Sequence, residues 1–381
     1  MSFPYGTPGP HSAPHGPLSP PLVRATAHAV ADASVVGQFS RGERHGEFYQ
    51  RLGHSNGLVV ESRVAELEGA DGALAFASGM AAMSAAVLAH CAAGDRVLLA
   101  RHIYGGTAAL CRDDLPRFGI RVDRFDSLDL ATLEEALRDP ARLVVLETPI
   151  NPTLRIVDLT AAAEICHRRG ALLVVDGTFA PPPIQRALEL GVDLLVHSAT
   201  KFFGGHSDVL AGVVAGRHAV LREVAGFRTR TGGVLAPDVA WLLSRSLATL
   251  ELRVSAQQAA AAAIARDLAE DPRLRVLHPS LTDHPDHQLA TRQMRGGPTL
   301  VTFTVEGGLE AASRLFDRLR LVARAPSLGG VESVASLPCL TTHAGVDEAE
   351  RAQAGIDPGM VRISVGLEGA AAIRDDVLQA L

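Results

Sequence analysis

The chain has 381 residues, of which 47% are hydrophobic and 20% are charged, and its formal net charge is -6. This composition is typical of a folded globular protein, and the length allows a large domain together with a smaller one. The acidic chain has no basic block and no basic stripe interleaved with aromatic residues, so we expect no nucleic-acid binding.

The cysteines and the apolar runs indicate the cellular location of the protein and whether it binds a metal. The four cysteines are widely spaced, with no CxxC pair and no zinc-like grouping with histidine, so we expect free thiols and no metal site. The first residues lack a positively charged region followed by an apolar one, which argues against a secretory signal. The alanine-rich run at 256–265 is interrupted before it reaches membrane-spanning length. We therefore expect a cytoplasmic protein without membrane contacts.

In chain order, the first predicted element is a flexible arm over residues 1–20, which are rich in Pro, Gly, Ser and His. The spacing of apolar residues then predicts helices at 59–69 and 79–91, on either side of a short buried strand at 73–77. Apolar, β-branched runs predict further strands covered on both faces, at 96–100, 121–125, 143–147, 172–176, 194–198 and 211–216. Because short helical segments alternate with these strands, the sequence predicts an α/β fold with a mainly parallel, doubly wound sheet.

The pattern changes after a predicted loop at 228–237. One long helix from about Pro237 to Asp271 is followed by sparser strands, mixed with helices, at 299–305, 319–325 and 360–366. These elements predict a second, smaller C-terminal α+β domain. We therefore predict three regions: an N-terminal segment (1–56), a large domain (57–236) and a small domain (237–381).

Candidate anion-binding groups follow strand ends, where ligands bind in open α/β sheets. Ser78, Gly79 and Met80 lie at a junction from strand to helix, where free backbone N–H groups and the helix dipole favour an anion. Ser198 and Thr200 would add two hydroxyl donors on one side of their strand, because side chains alternate along a strand. Each group alone also fits a simple helix cap or ordinary strand-end hydroxyls. A Walker phosphate loop is excluded, because it places glycines before its lysine and a hydroxyl after it.

Asp176 and Lys201 complete this pattern. Asp176 ends the most apolar strand, where a carboxylate needs a positive partner, either in a structural salt bridge or in a protonated heterocycle. Lys201 follows the next strand, where a lysine can form a Schiff base, although an isolated lysine is more often a solvated charge. The coincidence of lysine, aspartate and phosphate donors on neighbouring strand ends predicts pyridoxal 5'-phosphate (PLP) as the cofactor.

Distinctive segments follow one another from about Tyr49 to the C-terminus, namely FYQRLG, LAFASGMAAM, YGGT, ETPINPTLRIVD, VVDGTFAPP, HSATKFFGGHSD, APDVAWLLSRSLATLELR, PSLGGVES and VRISVGLE. In these segments the chain resembles the Cys/Met-metabolism family of PLP enzymes, which includes cystathionine γ-synthase, cystathionine γ-lyase, cystathionine β-lyase and methionine γ-lyase. The resemblance implies the PLP-dependent transferase fold type I. It also implies that residues 57–236 form the PLP-binding domain and that the 1–56 segment contacts a neighbouring subunit.

The resemblance assigns cofactor roles by matching positions. Lys201 would hold PLP covalently and then shuttle protons, and Asp176 would pair with the pyridine nitrogen. Tyr104, in YGGT, would stack on the ring and transfer protons near the leaving group. The cofactor phosphate would be held by four further residues, Gly79, Met80, Ser198 and Thr200.

The resemblance also assigns substrate and subunit contacts. Asn151 would lie by the ring oxygen and the substrate carboxylate, and Ser327 and Arg362 would bind that carboxylate, Arg362 through a bidentate fork. Tyr49 and Arg51 would reach the phosphate in the neighbouring subunit. This implies an obligatory homodimer, and the family suggests a tetramer built from two dimers.

The activity implied by the resemblance is elimination or replacement at Cγ of a γ-substituted L-amino acid. Our main prediction is a γ-lyase, which releases the γ-substituent, a 2-oxo acid and ammonia. The alternative is a γ-replacement synthase of the cystathionine γ-synthase or O-acylhomoserine sulfhydrylase type. A β-lyase and a non-catalytic scaffold are further alternatives.

Three departures from the family pattern bear on the substrate. His54, Ser55 and Asn56 replace the usual NPT in a loop near a neighbouring active site. Gly106 stands where methionine γ-lyases typically carry a cysteine, which argues against efficient use of methionine. Pro326 stands where enzymes acting on cystathionine often have a glutamate, so a distal ammonium loses its expected partner.

Two arginines in the predicted 228–237 loop offer another source of positive charge. Arg228 and Arg230 would favour a neutral or acidic γ-substituent, such as that of an acylated homoserine. The alternative is that both are exposed loop charges.

Overall fold

The computed structural model describes residues 18–41, 43 and 46–381, so most of the predicted flexible arm at 1–20 lies outside the described residues. The helices up to residue 231 are α1 (Ala33–Ser40), α2 (Ser55–Glu68), α3 (Gly79–Leu88), α4 (Gly105–Ala109), α5 (Leu130–Ala136), α6 (Leu159–Arg168) and α7 (His218–Thr231). The strands in the same part are β1 (Gly72–Phe76), β2 (Arg96–Ala100), β3 (Arg121–Phe125), β4 (Leu143–Glu147), β5 (Leu172–Asp176), β6 (Leu194–His197) and β7 (Gly212–Gly216).

These seven strands form one sheet in the order β1-β7-β6-β5-β4-β2-β3. β7 runs antiparallel to its neighbours β1 and β6, and the remaining pairs are parallel. The sheet is covered on both faces, because Val174 packs with Leu221 of α7 on one side, while Val175 packs with Cys166 of α6 on the other. The predicted mainly parallel, doubly wound sheet is therefore confirmed.

The helices of the C-terminal part are α8 (Pro237–Leu247), α9 (Leu250–Ala269), α10 (His287–Gln293), α11 (Gly308–Arg318), α12 (Glu348–Gln353) and α13 (Ala370–Ala380). The strands are β8 (Leu274–Leu277), β9 (Leu300–Val305), β10 (Ala323–Arg324), β11 (Val334–Ser336) and β12 (Met360–Ser364), and they form a second sheet in the order β10-β11-β12-β9-β8. Phe303 and Ile363 of this sheet pack with Ile264 of α9 and Val377 of α13 in a core of their own. The boundaries at 56/57 and 236/237 stay a prediction.

The long helix predicted from Pro237 to Asp271 is wrong, because the structure divides it into α8 and α9. Arg253 holds the break: its guanidinium donates to Ser246 O at 2.9 Å and to Thr249 Oγ1 at 3.2 Å. The same guanidinium donates to Phe202 O at 2.9 Å, next to Lys201. A buried arginine thus binds the Ser246 carbonyl group, which a continuous helix would have used.

The strand predicted at 319–325 is also mostly wrong, because only Ala323 and Arg324 form β10. The carboxylate of Asp376 accepts the backbone N–H groups of Arg320, Leu321 and Val322 at 2.8–2.9 Å, so these groups are taken up by a side chain. β8 and β11 were not predicted.

Arg228 contradicts both sequence interpretations, since it lies in helix α7 and is buried rather than exposed in a loop. Its guanidinium forms an ion pair with Glu61 of α2 and donates to Ala75 O of β1 at 2.7 Å. Glu61 also accepts the Ala75 N–H at 3.0 Å. Arg228 therefore joins two helices to the sheet, and its positive charge is not available to a substrate.

The loop predicted at His54, Ser55 and Asn56 is wrong, because Ser55 and Asn56 begin α2 and His54 is its N-cap. His54 Nδ1 accepts the Gly57 N–H at 3.1 Å and caps α2, and His54 Nε2 lies 2.9 Å from Leu235 O. Asn56 donates to Pro21 O and accepts the Val23 N–H, both at 2.9 Å, and so holds the N-terminal segment on α2. Within the described residues, no helix is long and apolar enough to cross a membrane.

Replacement of Arg228 by alanine should destabilise the fold by about 3 kcal/mol, because the Glu61 carboxylate, whose side chain is only 12% exposed, loses its partner. Urea denaturation of the two proteins would measure the difference in the free energy of unfolding. Arg230→Ala, on the exposed side of the same helix, is the matched control and should change stability by less than about 0.5 kcal/mol. Equal effects of the two substitutions would contradict the structural role of Arg228.

Candidate active site

The candidate site lies at the carboxyl ends of β4, β5 and β6, which are adjacent and parallel. Glu147 and Asp176 are direct register partners at the ends of β4 and β5. The Thr148 N–H bonds Asp176 O at 3.3 Å, and the Gly177 N–H bonds Val196 O of β6 at 2.9 Å. The sheet thus brings the predicted strand-end residues to one edge, as the sequence predicts.

Lys201 lies in a turn directly after β6. The turn is closed by the Lys201 N–H to Ser198 O at 3.1 Å and the Gly205 N–H to Lys201 O at 2.7 Å. Lys201 Nζ donates to Ser327 Oγ at 2.7 Å. Burial lowers the pKa of the Lys201 amine, and the nearby Arg362 charge lowers it further. Lys201 is also the only lysine in the chain.

Asp176 is held by the residue two positions after it. Its Oδ1 accepts the Thr178 N–H at 3.0 Å and the Thr178 hydroxyl at 2.6 Å. The same hydroxyl accepts the Ser198 N–H at 2.9 Å, which ties the end of β5 to the end of β6. Burial raises the pKa of Asp176, and the two bonds from Thr178 oppose that shift.

The N-terminus of α3 packs closely against the Ser198 turn. Ser78 caps α3 by accepting the Ala81 N–H at 3.1 Å. A Cβ atom added at Gly79 would lie 2.9 Å from Ser198 Cβ, and one at Gly212 would lie 2.1 Å from Ser78 O. These close approaches require glycine, and they leave the first backbone N–H groups of α3 next to the Ser198 hydroxyl.

The expected strand alternation of Ser198 and Thr200 is wrong, because β6 ends at His197 and both residues lie in the turn. The Thr200 hydroxyl donates to Ala211 O and accepts the Ala211 N–H, both at 3.1 Å. Thr200 therefore ties the Lys201 turn to the segment before β7.

Asn151, Ser327 and Arg362 form one connected group. Arg362 Nη1 donates to Asn151 Oδ1 at 2.7 Å, and Nη2 donates to Ser327 O at 3.1 Å. Burial lowers the pKa of Arg362 to about 10, and the Glu147 carboxylate opposes the shift. Ser327 has a φ of 103°, a strained conformation for a residue with a side chain. Since Ser327 also binds Lys201 Nζ, the group links the lysine to the arginine.

Tyr104 precedes α4, and its side chain is 46% exposed. Its backbone N–H donates to Glu147 Oε2 at 2.7 Å. A Cβ atom added at Gly106 would lie 2.5 Å from Tyr104 Cε1 and 3.0 Å from Met80 Sδ. The tyrosine ring therefore uses the space that a side chain at position 106 would need, and Met80 lies beside it.

Tyr49 and Arg51 are not joined to the Lys201 group by a hydrogen bond or ring contact among the described residues. Arg51 donates to Thr229 O at 2.7 Å, and its guanidinium lies 5.6 Å from the centre of the Tyr49 ring. Tyr49 is 41% exposed.

Sequence reasoning assigned no role to two further side chains, those of Glu147 and His343. Glu147 contacts both Tyr104 and Asn151, and its signal was the carboxylate at the end of an apolar strand, the same signal that marked Asp176. Burial and the neighbouring Asp176 raise the pKa of Glu147, and the Asn151 N–H, the Tyr104 N–H and the Arg362 charge oppose that shift. His343 had no sequence signal; burial and then Arg362 lower its pKa to about 4, so its imidazole is neutral at pH 7.

The residues present fit PLP. The close approach of Gly79 to Ser198 forms an anion cradle that any side chain at position 79 would fill. Asp176 supplies a carboxylate for a protonated ring nitrogen, and Lys201 supplies the amine for a Schiff base. In the described part of the chain, no group of three or more His, Cys, Asp or Glu residues is placed to hold a metal ion.

Comparisons with known proteins agree with this arrangement. Residues 8–381 match the family model described as Cys/Met metabolism PLP-dependent enzyme. The O-succinylhomoserine sulfhydrylase of Pseudomonas aeruginosa is 38% identical over 98% of this chain and 93% of that protein. The L-methionine gamma-lyase of Pseudomonas putida is 38% identical over 96% of this chain and 93% of that protein.

A solved structure extends the match to three dimensions. The cystathionine gamma synthase from Xanthomonas oryzae pv. oryzae, solved in complex with aminoacrylate and cysteine, covers 95% of this chain and 92% of its own. Its TM-score is 0.90 at 34% sequence identity, which agrees with the expected fold type I. With a family match over nearly the whole length and the lysine, aspartate and anion cradle at one sheet edge, the chain belongs to the Cys/Met metabolism family of PLP-dependent enzymes.

Proposed function

We propose that this PLP-dependent enzyme eliminates the γ-substituent of an L-amino acid and releases it together with a 2-oxo acid and ammonia. The observation that carries the proposal is the hydrogen bond from Lys201 Nζ to Ser327 Oγ, because Ser327 O also binds Arg362. An amine base thus lies beside a buried guanidinium that suits a carboxylate. Replacement of the γ-substituent by a thiol is the second candidate, favoured by the similarity to the sulfhydrylase.

The substrate carboxylate would bind Arg362, with Asn151 and Ser327 fixing the plane of the guanidinium. When bound, PLP supplies an aldehyde that links to an amine and an aromatic ring that withdraws electrons from the substrate carbon. Lys201 would accept the α-proton, since its lowered pKa increases the fraction of neutral amine at pH 7. Elimination at Cγ needs a second proton removed from Cβ, and Tyr104, whose backbone N–H binds Glu147, would transfer protons near the leaving group.

The remaining residues would hold the cofactor. Asp176 would keep the ring nitrogen protonated, and Thr178 fixes the orientation of its carboxylate. Gly79, Met80 and Ser198 would surround the phosphate at the N-terminus of α3. Thr200 would contribute mainly by holding the turn, because its hydroxyl already bonds both backbone groups of Ala211.

Tyr49 and Arg51 would complete the phosphate site of a second subunit in a homodimer. Their exposure, and their separation from the Lys201 group of their own chain, support this assignment. A tetramer of two dimers and a cytoplasmic location complete the proposal.

The surroundings of the site favour a γ-substituent without a positive charge. Pro326 supplies no carboxylate, and Arg362, the residue proposed to bind the substrate carboxylate, is cationic. Arg228 is excluded as a substrate contact by its ion pair with Glu61. We therefore propose neutral or acidic substituents, such as the acyl group of an O-acylated homoserine.

Assays of the purified holoenzyme with O-succinylhomoserine, methionine, cystathionine and cysteine should show 2-oxo acid release from an O-acylated homoserine without added thiol. Lys201→Ala should lower this rate by about 10³-fold or more, because the base is lost. Strict dependence of turnover on an added thiol would overturn the lyase proposal in favour of γ-replacement.

Since Lys201 is the only lysine, amine labelling of the cofactor-free enzyme reports the titration of this one side chain. We expect the midpoint to lie below the ordinary lysine pKa of about 10.4, because burial and Arg362 disfavour the charged amine. Arg362→Met should raise the midpoint without restoring the ordinary value, since burial remains. Mass spectrometry of the peptide containing Lys201 separates it from the terminal amine. A midpoint at the ordinary value would contradict the shift.

Gly106→Ala should lower kcat by about tenfold, because the new methyl group displaces the Tyr104 ring and misplaced catalytic groups lose activity steeply. Gly105→Ala is the matched control: its Cβ would lie 3.7 Å from Thr342 O, an ordinary contact, and we expect less than about a twofold change. Steady-state kinetics on the preferred substrate compare the two. Equal activities would show that the tyrosine position does not depend on Gly106.

A further inference from the structure

Glu147 is the most buried carboxylate of the site, with 4% of its surface exposed. It stands directly opposite Asp176 in the β4–β5 ladder. Two carboxylates at neighbouring ladder positions repel each other, and removing either from water costs free energy. An apolar residue at position 147 would continue the LVVL run of β4 without this cost, so the carboxylate must have a task.

The contacts of Glu147 indicate that task. Its Oε2 accepts the Tyr104 N–H at 2.7 Å, and its Oε1 accepts the Asn151 N–H at 2.9 Å. The two amides come from separate segments, one following β2 and the other following β4. Arg362 adds attraction to the carboxylate, and these three partners offset part of the cost of burial.

Both segments need external support. Tyr104 is followed by two glycines, and no side chain caps α4. Asn151 carries the Oδ1 that accepts from Arg362 Nη1 at 2.7 Å. A shift of the Asn151 backbone would therefore move the guanidinium, and a shift of the Tyr104 backbone would move the tyrosine ring.

We propose that Glu147 is a positioning residue whose two carboxylate oxygens clamp the backbones of Tyr104 and Asn151 and so fix the tyrosine ring relative to the carboxylate-binding arginine. This inference rests on the proposed function for the roles of Tyr104 and Arg362. Glu147 itself does not touch the substrate; it acts through the two amides.

The test is Glu147→Gln in the holoenzyme. In glutamine an NH2 group replaces one of the two accepting oxygens and cannot accept an N–H bond, so one of the two backbone amides loses its partner. Hydrogen–deuterium exchange should increase by about tenfold or more in the peptides that contain Tyr104 and Asn151. The apparent Kd for glycine, followed by the absorbance of the bound cofactor, should rise, and kcat/KM should fall by about 10²-fold.

Asp376→Asn is the matched control, because Asp376 also accepts backbone N–H groups, those of Arg320, Leu321 and Val322, without contacts to the site. Its exchange should increase only around residues 320–322, and its glycine affinity and kcat/KM should stay within about twofold. The comparison distinguishes the effect of losing any carboxylate that binds backbone N–H groups from the effect of losing the Glu147 contacts at the site.

Three results would overturn the proposal: unchanged exchange at Tyr104 and Asn151, a uniform increase along the whole chain, or a local increase with unchanged glycine affinity and kinetics. If Glu147→Gln does not fold, Glu147→Asp replaces it, because the shorter carboxylate keeps its charge but cannot span both amides. Hydrogen–deuterium exchange and glycine binding require no turnover. An enzyme inactive on every substrate would therefore contradict the proposed function, while these two measurements would still test the positioning role of Glu147.

Discussion

The site depends on one electrostatic constraint: two carboxylates lie side by side at the adjacent ends of parallel strands. Glu147 and Asp176 are register partners, burial raises the cost of charging both, and the Asp176 carboxylate raises that of Glu147 further. Thr178 offsets part of this cost for Asp176, and two backbone amides and Arg362 do so for Glu147. Thr178 also binds the Ser198 N–H, and the partners of Glu147 come from three separate segments, so the contacts that stabilise the two carboxylates also assemble the site.

The same two carboxylates favour a positive charge nearby, which Arg362 supplies. Arg362 lies in a buried position where it attracts Glu147 and lowers the pKa of Lys201. Its two outer nitrogens bind Asn151 and Ser327, so a guanidinium that balances the strand-end charge is also oriented toward a carboxylate. The same guanidinium charge, together with burial, favours the neutral form of the Lys201 amine.

The strand ends could be predicted from sequence because apolar runs and their final polar residues are local signals. The strands β2 to β5 have the predicted bounds, and Asp176 and Lys201 lie at the expected edge. Features that depend on distant partners could not be predicted. Arg253 breaks a helix through Ser246, Asp376 takes up the amides of a predicted strand, and Arg228 becomes buried only because Glu61 meets it from another helix.

The same distinction explains why Asp176 was assigned a role and Glu147 was not. Both end apolar strands, so their local signals are equal, but the resemblance supplied a partner only for Asp176. The partners of Glu147 are backbone amides, which have no sequence identity, and one of them lies 43 positions away. A carboxylate that binds main-chain groups leaves no complementary residue to find. The cost of burying it is then the only signal available before the fold is known, and that cost alone shows that a task exists.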